Sequence, residues 1–174
     1  DTMQTTKNAL YRELGKNLSH NSGFWFMDLG GGWFDDEENA TSSAAWADAA
    51  TICPWQMYLT YGNKEIIRDS LKSMADYLEY IDYHTWNDIW ARGHHFGDWL
   101  NLDGSSPEDC SKGTEKSLIA TAYYIYSSEI LAKSMALCGE DNAEVLEKRE
   151  KSIIAFRREY MENGRIKPEY ATQG

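Results

Sequence analysis

One stretch of the chain carries a clear stripe of apolar residues at helical spacing. It begins after Gly62 and Asn63, which are typical of a helix end and of the N-cap of the next helix. Its apolar positions alternate steps of four and three: Ile67, Leu71, Met74, Leu78 and Ile81. This spacing predicts a helix that packs one face against a core.

Two helices are predicted before this one. The first covers residues 2–18, with leucines four residues apart. The second is expected to begin at an N-cap within 41–43, a Thr-Ser-Ser run, and to reach Tyr61. Pro54 falls inside it, so a kink or a break is expected there.

Two more helices follow. The fourth is predicted from about Thr114 to Leu137, closing at Gly139. Its expected core side consists of Leu118, Ala122, Ile125, Leu131 and Met135. The fifth is predicted over about 141–161, ending at Asn163-Gly164, with a loose tail from Pro168 onward. No strand pattern of useful length is found, so the predicted fold class is all-α.

Long loops rich in aromatic and acidic residues separate the helices. They cover 19–39 and 83–112, and ordered loops of this length are disproportionately functional. Helical hairpins with such loops suit a helical bundle, a solenoid or an α/α toroid. No repeat of fixed period is found, which disfavours the solenoid.

The charge balance narrows the class of partner. The 174 residues hold 17 Lys and Arg against 28 Asp and Glu, a formal charge of −11. An acidic surface disfavours nucleic acid and anionic membranes, although such a charge also serves solubility alone. Seven Trp and 11 Tyr are many for this length, and aromatic side chains with a polar handle suit both a core and a sugar-binding cleft.

No metal or cofactor site is predicted. Cys53, Cys110 and Cys138 have no zinc-like spacing and are expected to be thiols, at least one of them unpaired. His94-His95 could ligate a metal, but polar loop histidines are the favoured interpretation. The Gly30–Gly32 run lacks the Lys-Ser/Thr of a phosphate-binding loop.

From about residue 40 to 173, the chain resembles the catalytic domain of α-L-rhamnosidases of glycoside hydrolase family 78. The residues that carry the resemblance are Trp46-Ala47-Asp48-Ala49, Pro54-Trp55, Tyr58, Tyr61-Gly62-Asn63, Tyr77-Leu78, Phe96-Gly97-Asp98-Trp99-Leu100 and Leu118–Tyr124. Each motif is short, and their order and spacing give the resemblance its specificity.

The resemblance implies part of an (α/α)6 toroid and an enzyme that hydrolyses terminal α-L-rhamnosyl bonds with inversion. Inversion needs a general acid and a general base, about 6.5–9.5 Å apart. The family's acid lies in an upstream Asp-x-x-x-Arg-x-Glu-Arg segment, which this sequence lacks, and its base is expected beyond Gly174. We therefore expect residues 1–174 to be a single partial domain, a fragment with little or no hydrolase activity alone.

Four residues are candidates for substrate binding by this resemblance: Trp46, Asp48, Asp98 and Trp99. Trp46 would lie against the sugar face and Asp48 on its hydroxyls, or Trp46 could be buried and Asp48 a helix N-terminal acid. Asp98 and Trp99 have the same two interpretations. Candidates for the pocket rim are Trp33, Asp36, Glu37 and His95, although acidic runs such as 35–38 are mostly solvated.

The partner implied is a rhamnose-containing oligosaccharide or glycoside, with no nucleic acid, no membrane and no cofactor. Self-association is expected at edges that neighbouring helices of a full toroid would cover. Two alternatives stay open: another α/α-toroid hydrolase, trehalase-like or debranching-like, and a noncatalytic helical glycan-binding module. Trp86 and Trp90, four residues apart, are expected to form one packed face rather than a sugar platform.

Overall fold

Helical hairpins make up the computed structural model, which describes residues 43–93, 95–98 and 113–170. In this part of the chain the helices are α1 (Ala49–Tyr61), α2 (Lys64–His84), α3 (Lys116–Cys138) and α4 (Ala143–Tyr160). Two short hairpins, β1–β2 (Thr85–Trp86 with Ile89–Trp90) and β3–β4 (Met161–Glu162 with Arg165–Ile166), and a 3₁₀ turn (Pro168–Tyr170) complete it. The predicted helix at 2–18 and loop at 19–39 lie outside the described residues.

The four helices run alternately up and down. Only residues 62–63 join α1 to α2, and 139–142 join α3 to α4. Hairpin β1–β2 follows the end of α2, and its second strand contacts the start of α3, where the Trp90 N–H donates to Thr121 Oγ1 at 3.1 Å. We call the end with 62–63 and 139–142 the closed end. The opposite end, with 43–48, 85–93, 95–98, 113–115 and 161–170, is the open end.

The core lies where α2 and α3 meet α1 and α4. The predicted stripe of α2 is confirmed, since Ile67, Met74, Leu78 and Ile81 are buried and Leu71 packs against them. A polar link also joins three helices near the open end. Asp82 of α2 accepts hydrogen bonds from the Tyr124 hydroxyl of α3 and from Lys148 Nζ of α4, the latter at 2.7 Å.

The predicted core side of α3 is wrong in part. Ala122 is exposed, and the buried face instead consists of Ala120, Thr121, Tyr124, Ser127, Ser128, Ile130, Leu131, Ala132 and Ser134. Ser127 and Ser128 can be buried there because their hydroxyls find acceptors nearby, whereas the Ser134 hydroxyl has no hydrogen-bond partner among the described residues. Ser128 Oγ, for example, donates to the Tyr124 carbonyl one turn earlier at 2.7 Å.

The start of α1 also differs from prediction. The helix begins at Ala49 after a series of turns over 44–48, with Asp48 at its N-cap position. Ser43 does not cap it, because the Ser43 hydroxyl accepts a hydrogen bond from the Phe96 N–H at 3.0 Å. Pro54 does not break α1 either: the helix runs through it, and the buried ring forgoes one backbone bond, to the Ala50 carbonyl.

Two short hairpins were not predicted. Helix α2 extends to His84, and β1–β2 occupies part of the predicted 83–112 loop. Helix α4 ends at Tyr160, and Asn163-Gly164 form the turn of β3–β4, both with positive φ. The predicted loose tail is wrong for 168–170, because these residues form a 3₁₀ turn and Tyr170 packs edge-on against Tyr160, with ring centroids 5.2 Å apart.

The predicted caps between α1 and α2 are confirmed and allow a first test. Gly62 ends α1 at φ +67°, and the Asn63 side chain accepts from the Glu65 N–H. We expect Gly62→Ala to lower the free energy of unfolding by about 1 kcal/mol, since L side chains disfavour this φ. Space is open around Gly62, so the cost should come from the backbone alone.

Gly62→Asn is the matched variant, because Asn tolerates the left-handed conformation better than Ala. Urea unfolding of both variants measures the difference. If Ala and Asn destabilise the chain equally, the cap's conformation is not the source of the cost.

Candidate functional site

The turns at 43–48 dock onto residues 95–98 at the open end. The Ala44 N–H donates to His95 Nδ1 at 3.2 Å, and the Phe96 N–H donates to Ser43 Oγ at 3.0 Å. Two segments about fifty residues apart in sequence are thus joined by backbone-to-side-chain bonds in both directions. This places the turns that carry Trp46 beside His95 and Phe96.

Trp46 projects from this docked turn. Half of its surface, 50%, is exposed, and its ring packs edge-on against Phe96, with centroids 6.0 Å apart and planes at 69°. The ring is therefore held at one edge while much of the side chain faces solvent. Such a half-exposed, fixed aromatic ring is suited to stacking against an apolar ligand face.

Asp48 points the other way, into the core. It is completely buried; its Oδ2 accepts from the Ala45 N–H at 2.8 Å, and its Oδ1 accepts from Ser127 Oγ of α3 at 2.5 Å. Burial raises the pKa of the Asp48 carboxyl from 3.8 to about 6, although these hydrogen bonds oppose the rise. In this arrangement both carboxyl oxygens are engaged by the protein rather than presented to a ligand.

A small buried polar network surrounds that carboxyl. Thr51 Oγ1 lies 2.8 Å from Ser127 Oγ and donates to the Asp48 carbonyl oxygen at 3.0 Å. The Tyr77 hydroxyl of α2 faces the carboxyl without a well-formed hydrogen bond to any described residue, and burial together with the Asp48 charge raises the pKa of Tyr77. Ser127, Thr51 and Tyr77 were not among the predicted site residues.

The described part of the second motif, residues 96–98, lies at the open end. Asp98 accepts a hydrogen bond from Thr114 Oγ1 at 3.1 Å, which fixes it to the segment just before α3. His95, predicted at the pocket rim, is 5% exposed and packs edge-on against Trp90, with ring centroids 4.7 Å apart. Trp99, Trp33, Asp36 and Glu37 lie outside the described residues.

Trp86 and Trp90 do not share a packed face. Trp90 is completely buried, whereas Trp86 is 60% exposed, with the Arg92 guanidinium 5.0 Å from its ring centroid. The two side chains separate because the intervening residues form a hairpin rather than a helix. Its turn places both Asn87 and Asp88 at positive φ.

No metal centre or membrane span is found within the described ranges. No three His, Cys, Asp or Glu side chains of that part of the chain gather closely enough to hold an ion. None of its helices has the length and apolar character needed to cross a bilayer. Cys53 and Cys138 are free thiols, and Cys110 lies outside the described residues.

Known proteins are similar to this chain in sequence and in the arrangement of their helices. The chain is 29% identical over 154 residues to an alpha-L-rhamnosidase of Streptomyces avermitilis, covering 82% of this chain and 14% of the relative. It is 35% identical over 128 residues to an alpha-L-rhamnosidase of Alteromonas sp., covering 70% of this chain and 14% of that protein. The chain thus spans about a seventh of the length of these curated relatives.

Two solved structures of alpha-L-rhamnosidases are also similar to this chain. The Streptomyces avermitilis alpha-L-rhamnosidase complexed with L-rhamnose superposes with a TM-score of 0.62 at 29% identity, covering 72% of this chain and 11% of that one. The native enzyme of Aspergillus terreus gives a TM-score of 0.61 at 25% identity, covering 75% and 15%.

The family model that matches describes the bacterial alpha-L-rhamnosidase 6 hairpin glycosidase domain, and it covers residues 29–173. The predicted helical hairpins of a six-hairpin toroid are thereby confirmed. The chain belongs to the bacterial alpha-L-rhamnosidase six-hairpin glycosidase family.

Proposed function

We propose that this chain forms part of the wall of a rhamnose-binding pocket in an enzyme that hydrolyses terminal α-L-rhamnosyl bonds with inversion. The observation that carries the proposal is Trp46, a half-exposed ring fixed at the open end by Phe96. A deoxy sugar such as rhamnose has an apolar C–H face and a methyl group, both of which can stack on an indole ring. The named relatives are alpha-L-rhamnosidases, and one of them was solved with L-rhamnose.

In this proposal the chain recognises substrate but does not cleave it. An inverting hydrolase needs two carboxyls about 6.5–9.5 Å apart on either side of the glycosidic bond. Of the two carboxylates nearest Trp46 in the motifs, Asp48 is completely buried and Asp98 is bonded to Thr114. The sequence also lacks the Asp-x-x-x-Arg-x-Glu-Arg run of the family's acid, so the acid and the base are assigned to residues outside this chain.

Fluorine NMR of the chain labelled with fluorotryptophan tests the binding role, because each Trp gives its own resonance. We expect L-rhamnose to shift the Trp46 resonance in a saturable way and to leave that of Trp86 in place. Trp46→Ala should weaken rhamnose binding by at least about tenfold, the usual loss for a central aromatic contact. Trp86→Ala is the matched control, as that side chain is also well exposed, at 60%, but lies on the β1–β2 hairpin.

The same samples test the catalytic half of the proposal. The chain should release no nitrophenol from nitrophenyl α-L-rhamnoside. Release that disappears on mutation of Asp48 or Asp98 would place a catalytic carboxylate inside the chain and overturn the assignment. If L-rhamnose shifts the Trp46 and Trp86 resonances equally, the pocket proposal is wrong. L-fucose is the comparison sugar, and a shift of Trp46 as large as that caused by L-rhamnose would also contradict the proposal.

A further inference from the structure

The turn that presents Trp46 is held in an unusual backbone conformation. Ala45, the residue just before Trp46, has φ +71° although it is not glycine. Residues with a Cβ rarely adopt this conformation, and alanine has no side-chain polar group to stabilise it. Something outside Ala45 must therefore hold the turn.

The group in contact with this backbone is the Asp48 carboxylate. Its Oδ2 accepts the Ala45 N–H at 2.8 Å, reaching back three residues as the acidic residue of a capping box does. Asp48 stands at the N-cap of α1, yet its side chain makes no capping bond to that helix. The side chain serves the preceding turn instead of the following helix.

The other carboxyl oxygen ties the turn to the helices. Oδ1 accepts from Ser127 Oγ of α3 at 2.5 Å, and Ser127 Oγ lies 2.8 Å from Thr51 Oγ1 of α1. The carboxylate thus joins the strained turn on one side to the hydroxyls of two helices on the other. A neutral or shorter side chain at position 48 would weaken or remove this link.

We propose that Asp48 is a positioning residue, whose carboxylate holds the Ala45 turn against α1 and α3 and so fixes the direction in which Trp46 faces at the open end. This replaces the predicted contact between Asp48 and sugar hydroxyls. The link between Asp48 and Trp46 is independent of any ligand. Only its consequence for sugar binding rests on the proposed function.

The charge of this carboxylate should matter as well as its shape. Charge-assisted hydrogen bonds are stronger than neutral ones, so protonation loosens the hold on the Ala45 N–H. Since burial raises the pKa of Asp48 to about 6, this change falls within an accessible pH range. The groups that face it are the Tyr77 phenol from α2, Thr51 from α1 and Ser127 from α3. His95, whose Nδ1 accepts the Ala44 N–H, is the ionisable side chain bonded to the neighbouring backbone.

Fluorine NMR of the labelled chain without sugar tests the positioning role. The Trp46 resonance should move with pH, with a midpoint near pH 6 set by the carboxyl. It should stay still in Asp48→Asn, which keeps the shape and removes the charge. Ser127→Ala should raise the midpoint, because the Ser127 hydroxyl donates to the charged carboxylate and holds its pKa down. The Trp86 resonance should be insensitive in every variant.

A transition that persists in Asp48→Asn would overturn the proposal and assign the pH response to His95.

Asp48→Ala separates this proposal from the proposed function. We expect it to weaken binding of L-rhamnose by about tenfold or more, while circular dichroism shows the helices intact. If rhamnose shifts Trp46 equally in Asp48→Ala and in the unmodified chain, the positioning role is wrong and the pocket stands. If Trp46 follows the ionisation of Asp48 but no variant binds rhamnose, the pocket is wrong and the positioning role stands.

Discussion

Asp48→Asn is expected to stabilise the chain at about pH 8 by up to about 3 kcal/mol and to have little effect near pH 4. The carboxyl is completely buried, and burial raises the pKa of Asp48 from 3.8 in an exposed setting to about 6. The folded chain therefore holds this proton more tightly than the unfolded chain does. The stability contributed by Asp48 is greatest below about pH 4, falls as pH rises through about 6, and is constant above that. Asn carries no charge at any of these pH values, so it avoids this loss.

Urea unfolding across this pH range measures the effect as the difference between the two chains. Other carboxylates titrate equally in both, so their contributions cancel in the difference. The difference should rise between about pH 4 and 7 and then level off. A difference that does not vary with pH would mean that Asp48 is not charged inside the folded chain. A difference that falls with pH would mean that the carboxylate gains more from its hydrogen bonds than it loses by burial.

Trp90→Ala is expected to lower the free energy of unfolding by about 3–5 kcal/mol, the usual cost of truncating a buried Trp. Trp90 is completely buried, its ring packs against His95, and its backbone N–H is bonded to Thr121 of α3. The loss should extend to the open end, because His95 in turn accepts the Ala44 N–H of the docked turn. The Trp46 resonance should therefore broaden in this variant.

Trp86→Ala is the matched control, since the same side chain is removed from the other strand of the same hairpin. Trp86 is 60% exposed, and the Arg92 guanidinium lies 5.0 Å from its ring centroid. Exposed cation–π pairs contribute about 0.5–1 kcal/mol, so the loss should stay below about 1 kcal/mol. Urea unfolding of both variants at one pH measures the two losses in free energy of unfolding. Similar losses would contradict the division of the hairpin into a buried strand, β2, and a more exposed strand, β1.

The sequence predicted best those parts of the fold that depend on apolar spacing and on glycine. The stripe of α2 was correct because its core positions are Ile, Leu and Met, which have few alternatives to burial. Gly62 and Gly139 ended their helices as expected, both at positive φ. The core face of α3 was misjudged because burial there falls on Ser127, Ser128 and Ser134, and hydrophobic periodicity does not register a buried serine.

The two short hairpins are indicated in the sequence by their turn residues alone. Asn163-Gly164 was interpreted as the end of a helix, although this dipeptide is also the strongest short signal for a hairpin turn. Ladders of two residues are too short to show an alternating pattern, so the turn residues were the available evidence. At Asn87-Asp88 even that signal is weaker, since neither residue is glycine.

The candidate site residues stay a prediction, and the contact between Trp46 and Phe96 that the structure shows was not among the expectations. The spacing Trp-x-Asp, however, does not say which of the two side chains faces outward. Within 44–48 the chain turns rather than coils as a helix, and this sends Trp46 to the surface and Asp48 to Ser127 in the core. No sequence signal pointed to Ser127, because its importance comes from a carboxylate 79 residues away.

The contrast between the two ends of the helices has a practical use. The closed end consists of residues 62–63 and 139–142, where Gly139 and Glu140 are exposed and lie a full helix length from Trp46. A dye, an affinity handle or a surface linkage placed at Glu140 would leave the rim around Trp46 unobstructed. Chains immobilised through this position would all present the open end to solution in the same direction, so even weak sugar binding could be measured on a sensor surface.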